Sequence, residues 1–370
     1  MKRLNFPRLS RRLSSRSGAA WLVAWALCSF LVASPAIGDA FPPSPRGIYV
    51  LSGPSVASVK IADKDFVDGF AWRLKWKDLD SGVWAPRYDF SAVDSVVADL
   101  QRMNKKLTMT LFVQEVPFYV LASAKDRFYT VVPGEGDTTY QALAPVPWDT
   151  AAIGHYRRLM LALAEHPVYD AQRGKPVAFR DHPTLAGLRI NMIGMHGLPG
   201  QNRDVVKHPS YTREKFLQGI LDNLHAGLDA FPEIPAWLEY QSMRDQTKKP
   251  SLDSEVLAAL AAEFDGVQMP KIGLFVEYLR GDAPKPETSA GKNLLTWRDN
   301  DGPVMFQACG PWCTHGLCNF TPGDDSPENG FRLGYGTYGA LYYEVYKADL
   351  EFEDFQPVFQ KWHRFLHSIP

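Results

Sequence analysis

Residues 66–114 read FVDGFAWRLKWKDLDSGVWAPRYDFSAVDSVVADLQRMNKKLTMTLFVQ, and this stretch decides the fold. Phe66, Val67, Phe70, Trp72 and Leu74 make an apolar strand. After a loop, Ser91 is placed to cap a helix, with Asp94 three residues on to complete a capping box. Val96, Val97, Leu100 and Met103 then recur on one helical face. Lys105 and Lys106 end the helix, and residues 107–113 are apolar again. A strand, a helix and a second strand this close together imply a parallel pair joined by a right-handed crossover.

The alternation continues in both directions. Residues 47–51 (GIYVL) are expected as strand 1, 66–74 as strand 2, 107–113 as strand 3 and 185–193 (LAGLRINMI) as strand 4. Residues 234–240 (IPAWLEY), 266–269, 304–308 and 340–346 (ALYYEVY) are expected as strands 5 to 8. Ile153, Tyr156, Met160 and Leu163 stripe a helix that starts at Asp149 or Thr150 and ends at Glu165. Similar stripes run through Phe216, Ile220, Leu224 and Leu228, through Val256, Leu257, Leu260 and Phe264, and through Phe355, Val358, Phe359, Trp362 and Phe365. Helical signals after strands 1, 6 and 7 are weak. Eight strands alternating with helices point to an α/β chain folded as a single (β/α)8 TIM barrel over residues 41–370. An open doubly wound sheet is the competitor, but no glycine-rich phosphate turn follows an early strand.

Connections from helix to strand are short: Asn104–Lys106, Pro232–Glu233 and Asp265. Long connections rich in Gly, Pro and Asp are expected after strands 3, 6 and 7, including PGEGD at 133–137 and TPGDDSPENG at 321–330. In a barrel all such loops lie at one end, where ligand sites are built.

The first forty residues are of another kind. Six Lys or Arg residues precede the apolar run 19–32, and small residues suit cleavage after Ala36 or Ala40. Residues 1–40 are therefore expected to be a signal peptide, with a periplasmic or secreted mature chain. An uncleaved anchor is the alternative, though the run is short for a span. Cleavage after Ala40 would remove six basic residues and one acid, taking the net charge from −1 to −6. Such a chain offers no phosphate-binding surface, so neither nucleic acid nor, once cleaved, a membrane is expected as partner. At 45% hydrophobic and 22% charged the rest is globular in composition. Three cysteines remain, Cys309, Cys313 and Cys318. In an oxidising compartment they make one disulfide that staples a loop and leave one thiol.

Several carboxylates sit inside or beside strands: Glu115, Glu239 in WLEYQ, Glu277 past strand 6, and Glu344 in YYEVY. Burying one is costly unless it is paired or used. Arg73 and Arg189 are possible structural partners. Trp72, Trp76, Trp84, Tyr119, Trp148, Trp312, Tyr335 and Tyr338 crowd the same end of the expected barrel. Paired carboxylates beside aromatic platforms suit glycosidic bond cleavage, one acid protonating the leaving oxygen while the other attacks the sugar or activates water.

The block Trp76-Lys-Asp-Leu-Asp-Ser-Gly, followed after five residues by Tyr88-Asp-Phe-Ser-Ala-Val-Asp94, resembles the opening segment of family 42-type β-galactosidases and related clan-A glycoside hydrolases. The segment YYEVYKADL from Tyr342 to Leu350 resembles the eighth strand of exported bacterial barrels of this kind. The resemblance implies a (β/α)8 barrel acting on carbohydrate. It also implies an acid/base Glu after Asn at the end of strand 4 and a nucleophilic Glu at the end of strand 7. Here strand 4 ends in Asn191-Met192-Ile193 without a Glu, and strand 7 carries Gln307.

Two functional readings follow. In the first the pair has moved to Glu239 as acid/base and Glu344 as nucleophile or base, which keeps the three-strand offset. Arg73, Trp76, Glu115, Asn191, His196, Gln268, Gln307 and Trp312 then bind substrate. In the second the barrel binds saccharide without cutting it, through Asn191, His196, Gln268 and Gln307. Neither reading expects a cofactor or a metal. A metal-dependent reaction such as deacetylation would draw on His196 and Asp204, but His182 and His208 lie in connecting segments.

Overall fold

The computed structural model describes residues 44–52, 63–113, 115–133, 139–191, 201–241, 243, 245, 251–264, 271–314 and 325–370. They belong to one compact unit, Ala40–Pro370. The barrel strands are β1 (Gly47–Ser52), β2 (Gly69–Lys75), β3 (Lys106–Phe112), β4 (Leu185–Ile190), β5 (Ala236–Glu239), β6 (Ile272–Leu279), β7 (Val304–Ala308) and β8 (Tyr342–Tyr346). They form a closed sheet in chain order, every neighbouring pair parallel, with β1 returning to β8. The chain is a (β/α)8 barrel.

Among the described residues seven helices of eleven residues or more cover it: α1 (Ser91–Arg102), α2 (Thr150–Glu165), α3 (Arg213–Ala230), α4 (Leu252–Glu263), α5 (Ser289–Asp299), α6 (Pro327–Tyr338) and α7 (Gln356–Ser368). Four start on side-chain caps. Asp149, Thr212, Thr288 and Ser326 accept from the backbone N–H three residues on, at 2.9, 3.2, 3.1 and 3.2 Å, satisfying donors that the first turn leaves orphaned. The cap expected from Ser91 is different. Ser91 is already the first helical residue, and its N–H donates to the Asp89 carboxylate at 3.0 Å.

The sixth strand also differs from expectation. Residues 265–270 lie outside those described, and the place between β5 and β7 is filled by Ile272–Leu279. The run IGLFVEYL is more apolar and longer than GVQM, so it buries more surface between two strands. This shift leaves only a short link from β6 to α5, so the long loop expected after strand 6 is not there. Long connections follow β3, β4 and β7 instead. The first carries a short helix, Phe118–Ser123, and an antiparallel hairpin of Arg127–Pro133 with Thr139–Pro145. Helices α5 and α6 fill places where the sequence signal was weak.

Two apolar layers result. The larger packs helices onto the outside of the barrel. The smaller fills the lumen with Tyr49, Ala71, Trp237, Phe275, Met305 and Tyr342. Side chains alternate along a strand, so the lumen is continued two residues on by Arg73, Glu239, Glu277, Gln307 and Glu344. Arg189 joins them from β4, its side chain fully buried. An apolar plug thus supports a charged layer in the C-terminal half of the strands, where barrel sites are built.

Candidate functional site

The charged layer is one connected network. Arg189 Nη2 contacts both Glu239 Oε2, in a close ion pair, and Glu277 Oε1 at 2.7 Å. Glu277 Oε1 also accepts from Arg73 Nη2 at 3.1 Å. The same Arg73 nitrogen reaches Glu344 Oε2 at 3.2 Å and donates in a close contact to Gln307 Oε1. Glu344 Oε1 accepts from the Tyr342 hydroxyl at 2.9 Å, and that hydroxyl pairs with Thr108 Oγ1 at 2.7 Å. Gln307 and Glu344 are register partners across β7 and β8. Gln307 Nε2 donates onward to Tyr346 at 3.4 Å. The Arg189 guanidinium also lies 4.6 Å from the centre of the Phe275 ring, packed on the lumen plug.

The members differ in access. Glu344 is 1% exposed and Glu239 6%, whereas the side chains of Glu277 and Arg73 are 20% and 23% exposed. Burial pushes the Glu239 carboxyl up to about 8, against the pull of Arg189. Glu277 is buried enough to be pushed up as well, but Arg189 and Arg73 together outweigh this and take it down to about 2. Burial raises Glu344 too, opposed by both arginines. Burial thus favours the neutral form of Glu239, while the two arginines favour the ionised form of Glu277.

Of the expected site residues, Glu239, Glu344, Arg73 and Gln307 come together in this layer. Asn191 follows β4 directly and is buried, with neither its amide nitrogen nor its amide oxygen hydrogen-bonded. Glu115 stands apart, held by Lys75 at 2.8 Å and closely by Lys77 and Tyr140. His196 and Gln268 lie outside the described residues. Trp76 and Trp312 are not platforms. Trp76 is fully buried against Tyr156, and Trp312 is packed on Phe331 and donates to Asp325 at 3.0 Å. Both open short helical segments and belong to the outer core. Trp72, Tyr119 and Tyr338 are buried as well. On the connections after β2 and β3 the exposed aromatics, among the described residues, are Trp84, at 80%, with Phe118 edge-on to it at 5.2 Å, and Tyr129 and Tyr140 of the hairpin.

Glu277 and Arg189 are the members that sequence reasoning left out of the site. Glu277 falls inside β6 once that strand is placed at Ile272–Leu279, two residues beyond Phe275 of the lumen plug. Its signal was the alternation in LFVEY. Cys309 is disulfide-bonded and Cys313 is a free thiol, while Cys318 lies outside the described residues. No helix among the described residues is long and apolar enough to cross a membrane.

No protein-family model matches the chain, and no curated protein matches it in sequence. Solved structures do match in fold. A β-galactosidase from Rahnella sp. R3 aligns with a TM-score of 0.52 at 11% identity, covering 89% of this chain and 57% of its own. A β-galactosidase from the psychrophilic Marinomonas ef1 gives 0.52 at 9% identity, covering 87% and 59%. The chain thus spans under three fifths of these enzymes and shares the barrel architecture with them.

Proposed function

We propose that the C-terminal end of this barrel binds a saccharide, and that it holds the sugar without cleaving it. The observation that carries this is the charged layer itself. Arg73 and Glu277 present partly open hydrogen-bonding groups, and Asn191, two residues beyond Arg189 just past β4, has an amide donor and acceptor with no partner. A buried amide left unpaired costs about 1–3 kcal/mol, and a polyhydroxylated ligand would recover that. The fold shared with two β-galactosidases supports carbohydrate as the ligand class. The basic, apolar and small-residue order of residues 1–40 supports an exported, periplasmic or secreted protein.

The same layer is poorly arranged for two-carboxylate hydrolysis. Catalytic carboxyl groups stand about 5–5.5 Å apart in retaining enzymes and about 6.5–9.5 Å in inverting ones, with the sugar between them. Glu239 and Glu277 instead share one cation, both contacting Arg189 Nη2. Glu344 is sealed by Arg73 and Tyr342. One observation favours the hydrolytic reading with Glu239 and Glu344. A carboxyl raised to about 8 is protonated at neutral pH, as a general acid must be.

A glycan array read for both binding and product release tests this, using the parent, Glu239→Gln and Glu344→Gln. Binding without product in all three supports the non-hydrolytic barrel. Product from the parent, lost in both variants, overturns it in favour of a glycosidase. No binding and no product across the array removes carbohydrate from the reading.

A further inference from the structure

At the opposite end of the barrel, we infer that Asp68, His363 and His367 form a binding site for a divalent transition metal of the zinc type. Asp68 lies one residue before β2, and the two histidines are four residues apart on one face of α7. His367 Nε2 lies 2.7 Å from Asp68 Oδ1 and His363 Nδ1 lies 3.2 Å from Asp68 Oδ2. All three ligand atoms fall within 4.8 Å of one another. Zinc holds imidazole nitrogen and carboxylate oxygen at about 2.0–2.2 Å, which places neighbouring ligands roughly 3.3 Å apart. Small rotations of the side chains bring these atoms to that spacing. Two imidazoles with one carboxylate suit zinc, and leave a fourth position for water.

The carboxylate is fixed in advance. Its Oδ2 accepts from the Ile48 N–H at 2.8 Å, the kind of outer support that metal-ligating groups receive. Gly47 has a φ of +105°, and a side chain there would collide with Asp68. Lys105, the nearby cation, is committed to the carbonyls of Val67 and Lys64 at 2.6 and 3.1 Å. Clefts of about 510 and 650 Å³ open on either side, one lined by His363 and the other by Asp68 and His367, with Asp65 lining both. An ion can therefore reach the site from solvent. Once bound it would clip the C-terminal helix to the start of β2; Arg46, just before β1, already donates to the backbone oxygens of Ile369 and Pro370 at 2.5 and 3.1 Å.

Calorimetric titration of Zn²⁺ into chelator-stripped protein made without a histidine tag tests the inference, beside thermal melts with and without Zn²⁺. The expected result is a single site in the parent, with a melting temperature raised by Zn²⁺. His367→Ala, at an exposed position, should fold normally, lose at least about tenfold in affinity and lose the thermal shift. No saturable binding in the parent, or equal binding by parent and His367→Ala, overturns the site. The readout does not involve saccharide, so its outcome is independent of the proposed function.

Discussion

Glu239 and Glu277, on neighbouring strands, converge on one nitrogen of a single buried arginine, Arg189 Nη2. Two carboxyl groups cannot both stay ionised around one guanidinium out of water at low cost. The protein divides the charge. Burial pushes Glu239 towards its neutral form, and Glu277, less deeply buried and with Arg73 as a second cation, is pulled towards its ionised form. A chain of acid–arginine contacts then runs from Glu239 through Arg189, Glu277 and Arg73 to Glu344.

Removing Arg189 should break that chain at its most buried link. Arg189→Met leaves Glu277 with one cation and Glu239 with none, and deleting one partner of a buried pair costs about 3–5 kcal/mol. Denaturant unfolding at pH 7 would measure the loss. Adding Glu277→Gln to Arg189→Met should restore part of it, because Glu277 is the carboxylate left ionised with one cation fewer, and the amide carries no charge. Equal stability of the single and double variants would show that the Arg189–Glu277 contact contributes nothing.

A second prediction concerns α6, whose glycines hid it in the sequence. A Cβ at Gly334 would lie 2.7 Å from the Tyr343 hydroxyl oxygen and 2.8 Å from its ring. That hydroxyl donates to Ala340 O at 3.0 Å inside the core, so it has little room to move. Gly334→Ala should therefore destabilise by about 1–3 kcal/mol despite its better helix propensity. Gly336→Ala, with nothing within 4 Å, should be neutral or stabilising in the same denaturant assay.

The barrel was legible because its signals are local. Apolar runs alternating with striped helices name the strands, and β7 at Val304–Ala308 falls where the sequence places it. Strand β6 was misplaced because GVQM and IGLFVEYL are both apolar, and only pairing with β5 and β7 chooses between them. That single slip hid Glu277, whose inward direction depends on the strand's register. Glu239, Glu344, Arg73 and Gln307 stood out as polar groups within strands. Their mutual contacts did not, since those join residues more than thirty positions apart. Trp76 and Trp312 misled for a related reason: an aromatic in a loop reads as exposed until the loop's path is known.

A third prediction uses the aromatics that are open. Trp84 is 80% exposed and touches Phe118 edge-on, on loops that leave β2 and β3 at the end bearing the charged layer. Trp84→Ala should change stability by less than about 0.5 kcal/mol, as a surface substitution. If this ring stacks on saccharide, the change should weaken glycan binding by more than about 1 kcal/mol, in the manner of an interface anchor. Calorimetry on a glycan identified by the array reads both parent and variant. Undiminished affinity would place the sugar away from this ridge.

The last prediction is the shape of stability against pH. Glu277 has a folded value near 2 against an ordinary 4.5, so it stabilises the folded state above 4.5 and loses that contribution as pH falls towards 2. Glu239 acts in the opposite sense. Its folded value near 8 means that the unfolded chain releases the proton first as pH rises past 4.5, so stability declines from there to about 8. Glu344, also raised by burial, adds to that decline. The contribution of the layer should peak near pH 4.5 and fall on both sides. Glu239→Gln removes the largest alkaline-side component, so melting temperatures recorded from pH 5 to 8 should fall less steeply in the variant than in the parent. Parallel slopes would mean that Glu239 is ionised in the folded protein at neutral pH, and with it would go the case for Glu239 as a proton donor.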